Sequence, residues 1–87
     1  MELDPAQMTP VINRIKRAQG QLNGIVRMLE EGRECADVVT QVAAVSRALD
    51  KAGFAIVSTG IQQALASPEG INSEDLQRME KLFLSLA

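Results

Sequence analysis

Apolar residues recur along this chain with a helical period. Val11, Ile15, Ala18, Leu22, Ile25 and Leu29 follow one another at spacings of 4, 3, 4, 3 and 4, which keeps them on one face of a helix. The same rhythm returns in Val38, Val42, Val45, Leu49, Ala52 and Ile56, and a shorter stripe follows in Leu76, Met79, Leu82, Phe83 and Leu86. Three helices are therefore predicted, at about 9–31, 35–67 and 73–86, and the residues between the stripes set their ends. Thr9-Pro10 reads as an N-cap followed by proline at the first helical position, with Asp4-Pro5 as a weaker alternative start. Gly32 ends the first helix as a C′ residue. The second opens near Glu34 or Cys35 and is stopped after Ser67 by Pro68 and Gly70, and Asn72 or Ser73 caps the third.

The second helix carries more apolar surface than one neighbour can cover, because Val39, Ala43, Val57, Ile61, Ala64 and Leu65 widen its stripe. At 1.5 Å per residue it is roughly 50 Å long and the first helix about 35 Å, so a hairpin of the two leaves the far end of the long helix bare. A second copy of the chain is expected to cover it, and the short third stripe suits packing across a neighbour. Gly53 and Gly60 lie inside the long helix, where each costs on the order of 1 kcal/mol relative to alanine. They mark either close approach of another segment or a local kink.

Composition narrows the class. Eighty-seven residues make a single domain, here 1–87, whose own core is small, which again favours oligomers. Hydrophobic residues reach 46% while Phe54 and Phe83 are the only aromatics, so the core is aliphatic and the fold class all-α. The longest apolar runs fall far short of the roughly 20 residues a bilayer requires, and the opening MELDPAQ has no basic-then-apolar signal pattern, so the expected setting is cytoplasmic, without a membrane partner. One cysteine, Cys35, excludes an intrachain disulfide. Histidine is absent, which removes the commonest metal ligand and the usual general base together. With no cysteine pair, no Ser/His/Asp set and no phosphate-cradling loop, an enzyme is not expected, nor a cofactor.

The net charge of −2 argues against a nonspecific polyanion binder, but its distribution points elsewhere. Between Pro5 and Leu29 lie four bases, Arg14, Lys16, Arg17 and Arg27, and no acid. At 100° per residue Asn13, Lys16, Arg17, Gly20, Gln21 and Gly24 fall on the side away from the apolar seam, with Arg14 at its margin. Gln21 adds an amide able to donate to a phosphate or read a base edge. The long helix contributes Arg47 and Lys51, an i, i+4 pair offset only by Asp50. On a monomer such a cluster is most simply a solvated face. Symmetric assembly multiplies it, and several phosphates neutralised at once give a steeply salt-dependent affinity. Without Trp or Tyr, stacking on single strands is unsupported, so the candidate partner is double-stranded DNA.

The run RIKRAQGQLNGIVRMLEEGRECADVVTQVAAVSRALDKAGFAI, from Arg14 to Ile56, closely resembles the copper-sensitive operon repressor family, without gaps over half the chain. The family also includes nickel/cobalt, formaldehyde and persulfide sensors. The resemblance implies a three-helix protomer, a dimer whose two hairpins form an antiparallel four-helix bundle, and usually a dimer of dimers, a homotetramer. It implies operator DNA bound without a helix-turn-helix, and repression relieved by an effector. It places DNA contact on Arg14, Lys16, Arg17 and Gln21 of the first helix and Arg47 and Lys51 of the second.

The sensing positions depart from that pattern. The family's copper site pairs a cysteine, here Cys35, with a His-x-x-x-Cys pair from the other protomer, and those two positions read Gly60 and Ala64. A tyrosine commonly precedes the first cysteine, where this chain has Glu34. One thiolate remains of a site needing about three soft ligands, so copper sensing is not expected. Nickel or cobalt sensing needs histidines, persulfide sensing a second cysteine, and formaldehyde sensing a proline after the initiator methionine, where Glu2 stands. Cys35 is then either a small buried hydrophobe or a reactive thiol. Its place in a first helical turn favours the thiolate, while Glu34 and Asp37 oppose it. The reading is a repressor that does not respond to copper, with a thiol-directed or unknown small-molecule effector. The alternative is a helical oligomerisation module that kept the fold without binding DNA.

Overall fold

In the computed structural model, which describes all residues 1–87, helices α1 (Thr9–Glu30), α2 (Cys35–Ala66) and α3 (Ser73–Ser85) follow a single 3-10 turn at Pro5–Gln7. There is no strand, and every helix end lies within one residue of its expected place. Gly32 ends α1 at φ +68°, a left-handed conformation that glycine adopts without steric cost. Its N–H donates to the Leu29 carbonyl at 3.3 Å and the Arg33 N–H to the Met28 carbonyl at 3.0 Å, which closes a Schellman turn. Asn72 caps α3, its Oδ1 accepting from the Asp75 N–H at 2.8 Å.

The start of α1 differs from expectation. Thr9 is the first helical residue, and Met8 holds the cap position with no side-chain bond. Met8 is buried three residues ahead of Val11, so core packing rather than capping fixes where the helix begins. Asp4 instead serves the separate turn at Pro5–Gln7, its Oδ1 accepting from the Ala6 N–H at 3.0 Å.

The 4-3 seams also resolve differently. Val11, Ala18 and Ile25 of α1 are buried with Val38, Val45 and Ala52 of α2, one residue in seven on each helix. The intervening seam residues are not: Leu22 is 45% exposed, Leu29 63%, Val42 49% and Leu49 41%. Two antiparallel helices meet along one narrow line, so the other edge of each stripe faces outward. The molecule measures 54 × 26 × 12 Å, a plate one helix thick, and buries only nine of its 87 residues. Its radius of gyration is 16.6 Å, against about 12 Å for a compact domain of this length. Its surface of 6472 Å² compares with about 5,000 Å² for a monomer of this mass.

Helix α3 folds back on α2 alone. Phe83 packs on Phe54 with ring centroids 4.9 Å apart, and Leu86 covers Gly53 so closely that a Cβ there would lie 2.8 Å from Leu86 Cδ1. Close approach therefore accounts for Gly53. It does not account for Gly60, where a Cβ would meet Leu3 Cδ2 at 3.4 Å, an ordinary contact.

Candidate nucleic-acid interface and effector position

The buried line divides each helix into two flanks. Measured from Ala18 at 100° per residue, Arg14, Gln21, Arg17 and Gly24 fall to one side and Leu22, Ile15, Val26 and Ile12 to the other. Measured from Val45, Gln41, Ala48, Ala44, Lys51 and Arg47 fall to one side, and Leu49, Val42, Cys35 and Val39 to the other. In an antiparallel pair, corresponding flanks come together. The plate consequently has a polar, basic face and an apolar one, and Gln21, Gly24 and Gln41 border the same crevice of about 270 Å³ on the polar face.

Arg14, Arg17 and Lys51 are exposed on that face, Arg47 is exposed at its outer edge, about 160° from Val45 at 100° per residue, and no carboxylate pairs with any of them. The ion pairs of the chain lie elsewhere, Arg33 to Glu31 at 3.8 Å and Arg78 to Glu74 at 3.7 Å. Two expected site residues are placed differently. Lys16 is exposed but lies on the outer side of α1, bordering an apolar groove with Met8, Ile12 and Ile56. Gln21 is not on the open face away from α2. It is half-buried against that helix, and its Oε1 is enclosed without a hydrogen-bond partner. A position three residues after Ala18 and four before Ile25 turns it inward, toward the crevice it shares with Gln41 of α2.

The thiol stands apart from the basic face. Cys35 is the first residue of α2 and is exposed on the apolar flank, so it does not pack inside its own chain. Gly60 lies 25 residues further along the same helix, about 37 Å away, and the two cannot meet within one protomer. Gly60 is covered instead by the N-terminal segment, an arrangement without periodic signal in the sequence. The Asp4 N–H donates to Gln63 Oε1 at 2.8 Å, and Gln63 Nε2 donates to Met8 Sδ at 3.6 Å. Ala64 and Gly60 border a cavity of about 690 Å³ between this segment and the α2–α3 turn. No three His, Cys, Asp or Glu side chains are grouped to hold a metal ion, and Gly60 and Ala64 carry no side-chain donor. The residues present do not fit a copper site.

Comparison with known proteins decides the family. Residues 7–85 match the family described as metal-sensitive transcriptional repressor. The chain belongs to that family. Among its relatives, the copper-sensing transcriptional repressor CsoR of Mycobacterium tuberculosis is 34% identical over 62 residues, which are 71% of this chain and 52% of that protein. CsoR of Bacillus subtilis is 32% identical over 65 residues, 75% of this chain and 62% of that one. The copper-sensing repressor RicR of Mycobacterium tuberculosis is 53% identical over 36 residues, 41% of this chain and 38% of that one. The chain spans about half the length of the relatives it matches. The family is one of transcriptional repressors, not of enzymes, and the all-α three-helix protomer is consistent with it. No helix is long and apolar enough to cross a membrane.

Proposed function

We propose that this chain is a DNA-binding transcriptional repressor that pairs through its apolar face, carries duplex DNA on its basic face and does not respond to copper. The observation that carries the proposal is the division of one thin plate into an exposed apolar flank and a flank whose bases have no acidic partners. The surface excess over a compact monomer, roughly 1,500 Å² per chain, is about twice the roughly 800 Å² that each partner of a standard interface buries, a size typical of obligate assemblies. A symmetric dimer covers that apolar flank and doubles the set Arg14, Arg17, Arg47 and Lys51. The exposed Leu76, Leu82 and Phe83 of α3 suit pairing of dimers into a homotetramer. The lack of donors at Gly60 and Ala64 supports a response unrelated to copper, and the exposed Cys35 supports a thiol-directed one.

A mobility-shift titration with the duplex upstream of its own gene tests the DNA reading. Binding is expected to fall steeply with salt. Replacing Arg14 and Arg17 with alanine should weaken it and flatten the slope of log affinity against log salt by about 0.9 for each phosphate that is no longer neutralised. No shift at low salt, or an affinity indifferent to both arginines, refutes the proposal and favours an assembly module without DNA. For the thiol, Cys35→Ala should abolish derepression in a reporter strain, and a normal response in that variant excludes Cys35 as the sensor.

A further inference from the structure

Gln21 is the one residue with a buried side-chain polar atom that lacks a hydrogen bond. The large majority of such atoms in folded proteins are satisfied by protein or ordered water, and an enclosed acceptor without a donor costs stability that an apolar side chain of the same shape would not. A second copy on the apolar face does not reach it, because Gln21 lies on the opposite flank. The helix surface beside it is open, with nothing within 4 Å of where a Cβ would stand at Gly20 or Gly24. Gln21 also follows Arg17 by one helical turn and Arg14 by two, so its amide is next in line along the exposed bases.

We infer that Gln21 is a specificity-determining residue, held half-buried in the free protein and turned outward to read an adenine edge when the basic face meets duplex DNA. The inference rests on the DNA-binding proposal and adds a chemical identity to one contact. A phosphate can accept from the amide Nε2 but offers no donor to Oε1. Adenine in the major groove offers both an N6–H donor and an N7 acceptor, which answer the two ends of an amide together. Arg14 and Arg17 then set position on the backbone without selecting sequence, while Gln21 selects. Turning outward also releases the enclosed oxygen, so two favourable changes coincide and the residue contributes only when its base is present.

The test uses the full chain, the duplex upstream of its own gene and a scrambled duplex of equal length, with Gln21→Met, which keeps the shape and removes both polar ends, and Arg17→Ala. Gln21→Met is expected to melt at a higher temperature than the natural protein. It should bind the upstream duplex about tenfold more weakly, a discrimination within the range of one bidentate base contact, and bind the scrambled duplex unchanged with the same salt slope. Replacing adenines singly by 7-deazaadenine should weaken the natural protein at one position per half-site and leave Gln21→Met indifferent. Equal losses on both duplexes, no loss on either, or insensitivity of the natural protein to every 7-deazaadenine overturns the inference. If Arg17→Ala leaves both affinities unchanged, the DNA reading itself fails. If Arg17→Ala weakens both duplexes while Gln21→Met behaves as the natural protein, only the role of Gln21 falls.

Discussion

The apolar face can be tested by placing one charge in its middle, with Leu49→Asp. Seven exposed large hydrophobic residues lie on that face of each protomer, Ile12, Leu22, Val26, Leu29, Val39, Val42 and Leu49, each between 41% and 63% exposed. Full burial of such a side chain is worth about 1.5–3 kcal/mol, so covering the exposed half yields about 1 kcal/mol apiece. Two protomers therefore gain about 14 kcal/mol in gross terms. Association costs about 4–15 kcal/mol in lost freedom, which leaves a margin that a few kcal/mol can erase. Leu49→Asp removes about 1 kcal/mol from each protomer and strands a carboxylate without a partner, at several kcal/mol more. By symmetry the loss counts twice and exceeds about 5 kcal/mol, raising the dissociation constant by more than three powers of ten. In sedimentation equilibrium at micromolar concentration, the natural protein should run at two or more times its 9.4 kDa chain mass and the variant near 9.4 kDa. With only nine residues buried in the isolated chain, the variant should also lose most of its thermal stability by circular dichroism. Arg47→Ala, on the opposite flank, is the control and should leave the mass unchanged. An assembly of natural mass and melting temperature in Leu49→Asp refutes the assignment of this face.

Three further outcomes follow from local geometry. Gly20→Ala, at a helical position with open space around it, should stabilise by about 1 kcal/mol, whereas Gly32→Ala, at φ +68°, should destabilise by about 1–2 kcal/mol; opposite shifts in melting temperature check the pair. Asn72→Ala removes the oxygen that accepts from the Asp75 N–H and should cost about 1 kcal/mol, read as faster hydrogen exchange confined to α3. Calorimetric titration of the reduced protein with Cu(I) should show no tight site, and one ion bound tightly per protomer would contradict the donor count at Cys35, Gly60 and Ala64.

The helices and their ends are legible in the sequence because apolar period, glycine and proline punctuation act locally, and local rules govern Gly32, Asn72 and the stop at Ser67. Which edge of a 4-3 stripe a chain uses on itself is not local. Leu22 and Ile25 read alike in sequence, yet Ile25 is buried and Leu22 is 45% exposed, because the line of contact in a two-helix pair takes one residue in seven. Gln21 reads as an open-face residue for the converse reason: polarity marks it as solvated, while its angle, about 60° from Ala18 at 100° per residue, turns it toward the crevice bordered by Gln41 of α2. The N-terminal segment has no periodic signal, so the covering of Gly60 by Leu3 and the bond from Asp4 to Gln63 emerge only in three dimensions.

The separation of the two faces has a mechanical consequence. Val11, Ala18 and Ile25 against Val38, Val45 and Ala52 form the single packed layer between the side on which Cys35 lies and the side that presents Arg14, Arg17 and Gln21. A change at the thiol would reach the basic face by shifting α1 against α2 along that layer, since the one side-chain hydrogen bond between them, from Gln63 Nε2 to Met8 Sδ at the α1 cap, lies at the far end of α2 from Cys35. Ala18 and Ala52 are its most buried residues, 2% and 1% exposed, and its smallest side chains. Enlarging either side chain should therefore displace the flanking arginines and Gln21 together, linking the flank of Cys35 to the basic face through interhelical distance.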